Sequence, residues 1–252
     1  MLTSNVSVVN IGVRHYNAPK KNPAMSARKP DTRTDTKPTQ ATGRHRGYHH
    51  GDLRQALIDE AVNYLKENSA DSLSLRALAR AVGVSQTAPY RHFPARSDLF
   101  VAIALQGFEQ LTGYLRSARD AESDTGAAFI ATGLAYVQWS VEHPETYQLF
   151  FDSKLLDFSE DPQLIDAGAR TFEVMLALIR RGQTEGFFRT DKPTEELAGL
   201  IWAGVHGMSS LAQKHRMQTA KGHAADSVAL ALAGLTDNRA DVLQLLMQSI
   251  RA

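Results

Sequence analysis

The chain has 252 residues, 43% of them hydrophobic and 22% charged, and 28 basic against 27 acidic side chains leave a formal net charge of +1. It contains no cysteine, which excludes disulfides, thiolate zinc sites, iron–sulfur clusters and cysteine nucleophiles. Because no apolar run reaches the roughly 18 residues of a membrane span and the N-terminus lacks the apolar core of a signal peptide, we expect a soluble cytoplasmic protein with no membrane partner.

The balanced total conceals an asymmetry of charge along the chain. Residues 1–50 carry nine basic and two acidic side chains, a formal +7, whereas residues 51–252 carry 19 basic and 25 acidic ones, a formal −6. Within the second part, residues 72–97 contain four arginines and no carboxylate. A basic front end on an acidic body indicates a polyanionic partner.

The order of predicted elements is a tail followed by helices. Residues 1–45 are predicted to be a disordered basic tail, because they contain too few large apolar residues to offset chain entropy. Apolar residues then recur at helical spacing to the C-terminus, and no convincing period-two run appears. The fold class is therefore predicted to be all-α, with helices over about 53–68, 75–82, 86–93, 96–117, 126–142, 144–151, 162–185, 194–216 and 237–251.

Residues 74–93 have the pattern of a helix-turn-helix. Ser74 is placed to cap the first helix through its hydroxyl, and Ala79 is small where a second helix must pass. Gly83 supplies the left-handed residue that turns the chain. Ser85 is expected to cap the second helix, and Pro89 lies near its first turn.

Two further features of this segment bear on its function. Val84 is expected to anchor the turn in the core. The exposed side chains of the second helix would be polar, cationic or aromatic without an acid, which suits a major groove. The alternative is an amphipathic helix pair joined at a glycine, which the acid-free surface disfavours. The exposed residues are Gln86, Thr87, Tyr90, Arg91 and His92.

This region resembles the tetracycline-repressor (TetR) family of transcriptional regulators over residues 46–100. Residues 51–61 are similar to the first helix of that family, and residues 73–93, which end in Tyr90-Arg91-His92-Phe93, to its helix-turn-helix. Residues 93–100 resemble the start of the fourth helix, with Arg96 where lysine is more usual. One departure is Ala77, where many members carry an acid that completes a capping box.

The resemblance implies a DNA-binding domain at 46–95, a ligand-binding and dimerisation domain at 96–252, and double-stranded DNA as partner. Tyr90, His92 and Arg96 would contact phosphates, and Ser74 would present its helix N-terminus to phosphate. Residues proposed for base edges or the adjacent backbone are Gln86, Thr87, Ala88 and Arg91. Arg44 and Arg46 would reach a minor groove or phosphate.

The resemblance to the family also implies a pocket for a small-molecule effector between the long helices of the C-terminal domain. We expect no cofactor and no metal site; His45, His49 and His50 lack a carboxylate to frame a metal and are interpreted as loop residues. Arg170 and His206 are weaker candidates for anchoring the effector. Apolar residues that could line the pocket, each of which could instead be ordinary core, are Phe129, Tyr136, Trp139, Tyr147, Phe150, Phe172, Met175 and Ile179.

The segment 199–207 suggests where two copies would meet. Gly199, Ala203 and Gly207 recur every four residues, which lets another helix approach closely, and Trp202 and His206 repeat the spacing beside them. This resembles a C-terminal domain type of the family with a Trp…His-Gly signature, which implies a four-helix homodimer interface completed by the last helix. An intramolecular helix pair is the alternative. The last helix would contribute Val242, Leu243, Leu246 and Ile250.

The sequence therefore predicts a homodimeric, ligand-responsive DNA-binding regulator, most simply a repressor released from a palindromic operator. The second hypothesis is a helical adaptor whose basic tail binds nucleic acid without sequence preference. An enzyme lacks support, because the chain has no phosphate-binding glycine loop, H-E-x-x-H or G-x-S-x-G motif.

Overall fold

Helices account for nearly all the regular structure of the computed structural model, which describes residues 53–151, 154–158, 161–220, 234–235 and 237–252. All of these residues belong to one compact unit, His49–Ala252. The helices are α1 (Leu53–Leu65), α2 (Leu75–Ala81), α3 (Arg96–Asp120), α4 (Thr125–Glu142), α5 (Pro144–Phe150), α6 (Pro162–Thr184), α7 (Thr194–Ala220) and α8 (Arg239–Gln248), with short 3-10 helices at Ala70–Ser72 and Ala88–Arg91.

The all-α prediction is confirmed. Within the described ranges β pairing is limited to an isolated antiparallel bridge between Phe188 and Arg251. No helix in that part of the chain is long and apolar enough to cross a bilayer. The predicted tail, with His45, His49 and His50, lies outside the described residues.

The first half of the helix-turn-helix follows the expected capping chemistry. The hydroxyl of Ser74 accepts a hydrogen bond from the N–H of Ala77 at 3.2 Å, so it caps α2. Gly83 has φ +76°, and the next N–H, that of Val84, donates to the carbonyl of Ala79 at 2.9 Å. This left-handed step ends α2 as predicted. Ala79 is fully buried, which allows the close approach.

The second half differs from the prediction of a regular helix over residues 86–93. The structure has only the four-residue 3-10 helix Ala88–Arg91, which contains Pro89 and its missing N–H donor. Ser85 does not cap through its side chain; its hydroxyl lies 3.3 Å from that of Thr87, while its carbonyl accepts from the N–H of Ala88. Val84 is half-buried rather than part of the core.

Helix α3 is the central element, and it joins the helix-turn-helix to the rest of the protein. Its first turns bury Leu99, Phe100 and Ile103 against the N-terminal helices, and Phe93 is buried in the same cluster. Farther along, α3 packs on α4, α5 and α6, while α4 packs on α7 and α8. One continuous core therefore extends from the helix-turn-helix to the C-terminal helices.

Candidate functional site

The helix-turn-helix presents a polar surface built on two buried anchors. Pro89 and Phe93 are buried, which fixes the 3-10 helix on the core. Tyr90 between them is 43% exposed, and Ala88 is half-buried. The hydroxyl of Ser74 remains at the exposed start of α2. Exposed alongside these residues are Gln86, Thr87, Arg91 and His92. This surface offers hydrogen-bond donors, cations and an aromatic ring together.

The structure gives Arg96 a role that the sequence did not indicate. Its Nη1 donates to the carbonyl of Asp71 at 2.8 Å and lies 3.4 Å from the carbonyls of Ala70 and Leu73. The guanidinium also sits 5.5 Å from the ring centre of Phe100. Arg96 thus holds the end of the first 3-10 helix against α3, and a phosphate contact through this side chain stays a prediction. Arg44 and Arg46 lie outside the described residues.

An apolar cavity of about 400 Å³ lies between α3, α4, α5, α6 and α7. Its volume is within the range of small-molecule sites. Among the residues that the structure describes, no charged side chain lines it. Five of the eight residues expected in a pocket line it, namely Phe129, Tyr136, Phe150, Phe172 and Met175. Others on the wall, missed at the sequence level, include Phe108, Leu111, Leu115, Phe151, Phe158, Trp202 and Leu243.

The remaining three expected pocket residues do not line this cavity. Trp139 is fully buried and stacks on Phe150 with ring centres 5.6 Å apart, so it supports the wall from behind. Ile179 is fully buried core. Tyr147 is 2% exposed and points its hydroxyl toward α7.

The hydroxyl groups around the cavity are mostly satisfied within the protein. Thr132 donates to the carbonyl of Ala128, and Thr171 donates to that of Ala167. Each threonine therefore faces the cavity mainly with its methyl group, and its hydroxyl proton is already used in a hydrogen bond to the backbone. A cavity of this composition favours a largely apolar occupant.

One polar chain leads from the cavity wall to α7. The hydroxyl of Tyr136 lies 3.4 Å from that of Tyr147, which lies 2.6 Å from Nδ1 of His206. Burial raises the pKa of both phenols, so both stay protonated. Burial also lowers the pKa of His206 and favours its neutral form. His206 is therefore a hydrogen-bonded packing residue, and it stacks on Trp202.

The small-residue strip of α7 faces away from the protein's own core. A Cβ placed on Gly199 or Gly207 would meet no atom within 4 Å, and Ala203 is exposed. Trp202 on the flank is 40% exposed while also lining the cavity. Three leucines are also exposed, Leu200 and Leu211 on α7 and Leu245 on α8.

Helix α8 points its predicted interface stripe inward. Leu243 and Ile250 are fully buried, and Val242 and Leu246 are half-buried. Leu243 fills the space above Gly133, where an added Cβ would lie 2.6 Å from its Cδ2, and Leu246 does the same above Gly204 at 2.8 Å. The stripe therefore packs within one chain. Leu245, which is 65% exposed, is the outward residue that the periodicity did not single out.

In the described part of the chain, no three His, Asp or Glu side chains lie close enough to hold a metal ion. Burial raises the pKa of Tyr136 and Tyr147, whose hydroxyls form a chain with each other and with His206. The two features suited to binding are the polar surface of the helix-turn-helix and the apolar cavity.

Comparison with known proteins identifies both halves of the chain. Residues 57–103 match the family described as bacterial regulatory proteins, tetR family, and residues 129–235 match one described as tetracyclin repressor-like, C-terminal domain. Together these matches cover more than half of the chain.

Individual relatives agree with this. The chain is 28% identical over 191 residues to an HTH-type transcriptional regulator of Mycobacterium tuberculosis, covering 63% of this chain and 80% of that protein. It is 25% identical over 141 residues to the nucleoid occlusion factor SlmA of Actinobacillus pleuropneumoniae, covering 52% of this chain and 69% of that protein.

Among solved structures, a protein of unknown function from Rhodococcus sp. RHA1 is 29% identical, with a TM-score of 0.66 over 82% of this chain and 100% of that one. The fatty acid degradation regulator FadR from Bacillus halodurans shares the fold, with a TM-score of 0.59 at 15% identity over 79% of this chain and 97% of that one. This chain therefore belongs to the TetR family of DNA-binding transcriptional regulators, which is not a family of enzymes.

Proposed function

We propose that this regulator is a homodimer that represses transcription from a palindromic operator and is released by a small apolar effector. The observation that carries the proposal is that α3 serves both sites. Its first turn holds the helix-turn-helix through Arg96 and Phe100, and its later turns line the cavity with Phe108, Leu111 and Leu115. An effector that shifts α3 would therefore move the DNA-reading surface.

The mechanism is a population shift between two conformers. Two helix-turn-helix units read half-sites that are about 34 Å apart or a multiple of it, one turn of B-DNA. An effector that fits the cavity better in a conformer with another spacing lowers the population that binds DNA.

The operator is tested by selecting binding sites for the full-length protein from random duplex DNA. We expect an inverted repeat whose affinity exceeds that of a scrambled duplex at the same salt concentration. Equal affinity for all duplexes with a steep salt dependence would favour the adaptor hypothesis instead.

The dimer is proposed to form through the outward strip of α7, because its small residues allow a second helix to approach closely and Leu200, Leu211 and Leu245 would surround the contact. Ala203→Glu places a charge in the middle of that strip and should yield monomers in light scattering. The matched control is Ala169→Glu, at an exposed alanine of α6, which should stay dimeric. A dimeric Ala203→Glu protein would place the interface elsewhere.

The effector site is tested by reducing the cavity. A Cβ on Gly168 would meet only ordinary contact, 3.9 Å from a ring carbon of Phe158, so Gly168→Leu should extend into the cavity without a backbone clash. We expect this variant to keep its operator affinity and to lose the stabilisation by apolar ligands that the wild type gains in thermal unfolding. Ala169→Leu on the exposed side of α6 should respond as the wild type does. Unchanged ligand stabilisation of Gly168→Leu would contradict the cavity assignment.

A further inference from the structure

A second, polar groove shares Phe108 with the apolar cavity. It has a volume of about 1100 Å³ and is formed by α1, α3 and α6. Three arginines, Arg54, Arg116 and Arg170, line it, one from each helix, together with two carboxylates. Among the described lining residues the groove therefore has an excess of positive charge, whereas the lining of the cavity described by the structure is uncharged.

The lining charges are arranged to leave the groove cationic. Arg170 forms a surface ion pair with Asp166, four residues earlier on α6. Because both side chains are more than half exposed, this ion pair is weak. Arg54 lies with its guanidinium 5.5 Å from the ring centre of Phe93. Glu109 supplies the second carboxylate. Guanidinium groups bind carboxylates and phosphates with two parallel hydrogen bonds.

The groove and the cavity share part of their lining. Phe108 lines both spaces. Thr112, on the groove side, lies 2.7 Å from the hydroxyl of Thr171, on the cavity side. An occupant that displaces the Phe108 ring would extend from one space into the other.

The groove also lies where α1 contacts α3. Gln55 of α1 donates to Gln106 of α3 at 3.2 Å, and both residues line the groove. A group bound there would contact α1, α3 and α6 at once and would change how firmly α1 is held.

We propose that this groove is the polar half of the effector site and binds the anionic end of an amphipathic molecule whose apolar part fills the cavity. The inference rests on the proposed function of the cavity and specifies its ligand class: a long apolar body that ends in a carboxylate or a phosphate. The anionic end of the ligand would contact α1 in the groove, and its apolar part would contact α3 in the cavity.

The test compares three probes with one apolar chain and different ends, 1-decanol, decanoate and decyl phosphate, by calorimetric titration of the full-length protein. At least one anion should bind about tenfold more tightly than decanol, the effect of a hydrogen bond to a charged group. The anion with the larger gain identifies the end group. Equal affinities of all three probes would overturn the assignment of the groove as an anion site and leave the assignment of the cavity as the effector site intact. Absence of binding by every probe would overturn both assignments.

Variants of the groove locate the effect. The double substitution Arg116→Gln and Arg170→Gln should remove the preference for the anion and leave decanol binding unchanged. Arg180→Gln is the control, since Arg180 is an exposed arginine of α6 paired with Glu173 outside the groove. An anion preference that survives the double substitution would overturn the proposal.

Gly113 offers a second test in which folding is not at risk. It lines the groove, and a Cβ placed on it would meet no atom within 4 Å. Gly113→Glu should abolish the preference for the anion by adding a carboxylate, whereas Gly113→Gln, of equal size and without the charge, should weaken it less. Equal anion affinity of these two variants would contradict a charge-selective groove.

Discussion

The hydroxyl of Tyr147 lies 2.6 Å from Nδ1 of His206 and joins α5 to α7 beside the cavity. Burial keeps the phenol of Tyr147 protonated, so its O–H donates to Nδ1 in the tautomer that carries its proton on Nε2. Burial also lowers the pKa of His206 and favours its neutral form, in which Nε2 lies 3.5 Å from the hydroxyl of Ser210. The contact fixes the orientation of the ring that stacks on Trp202 at the cavity wall.

This contact predicts a pH dependence of stability. Because burial lowers the pKa of His206 in the folded state, the unfolded chain binds more protons and stability decreases as the pH falls through the ordinary histidine range, about 6.5. Urea unfolding of the wild type should show this decrease between about pH 7.5 and about pH 5.5. His206→Gln removes the titrating group, so its free energy of unfolding should change less over the same interval. Identical pH slopes for the two proteins would contradict the role of His206.

Two glycines of α3 should respond oppositely to alanine. A Cβ on Gly107 would lie 2.5 Å from the Thr146 methyl and 2.9 Å from the Phe150 ring, whereas one on Gly113 would meet nothing within 4 Å. Gly107→Ala should therefore lower the free energy of unfolding by about 1–3 kcal/mol through overpacking. Gly113→Ala should raise it by about 0.5–1 kcal/mol, since alanine is the better helix former. Chemical denaturation measures both, and a stabilised Gly107→Ala protein would contradict the packing of α3 on α5.

Arg96 and Arg91 should differ in what their loss affects. Arg96 donates to carbonyls at the end of the 3-10 helix Ala70–Ser72, so Arg96→Ala removes these hydrogen bonds and should cost about 1 kcal/mol of stability. Arg91 is exposed, and Arg91→Ala should leave the free energy of unfolding within about 0.5 kcal/mol of the wild type. If Arg96→Ala leaves the free energy of unfolding unchanged, the structural role of Arg96 would be contradicted and only the phosphate contact implied by the family resemblance would remain.

Local chemistry explains which parts of the fold could be predicted. Ser74 and Gly83 were identified correctly because a cap and a left-handed turn depend on a few neighbouring residues. The regular helix over residues 86–93 was wrong, because Pro89 removes a donor in so short a segment and the buried Phe93 fixes it in 3-10 geometry instead.

The candidate cavity shows where sequence patterns lack the necessary information. Tyr136 and Trp139 are both buried on α4, yet Tyr136 lines the cavity and Trp139 packs behind its wall. Periodicity indicates that a side chain is buried and not which neighbour it meets. For the same reason the apolar stripe of α8 did not indicate whether Leu243 would pack on its own chain, as it does against Gly133, or on a second copy.

The central claim is that the surface carrying Tyr90 and Arg91 reads the operator, and fluorescence anisotropy on the selected operator and a scrambled duplex tests it most directly. Arg91→Ala should weaken operator binding by about 1–3 kcal/mol, roughly fivefold to 150-fold, if it contacts a base edge. Tyr90→Ala should weaken binding as well, and both variants should remain dimers in light scattering. Operator affinities equal to that of the wild type for both variants would contradict the assignment of this surface.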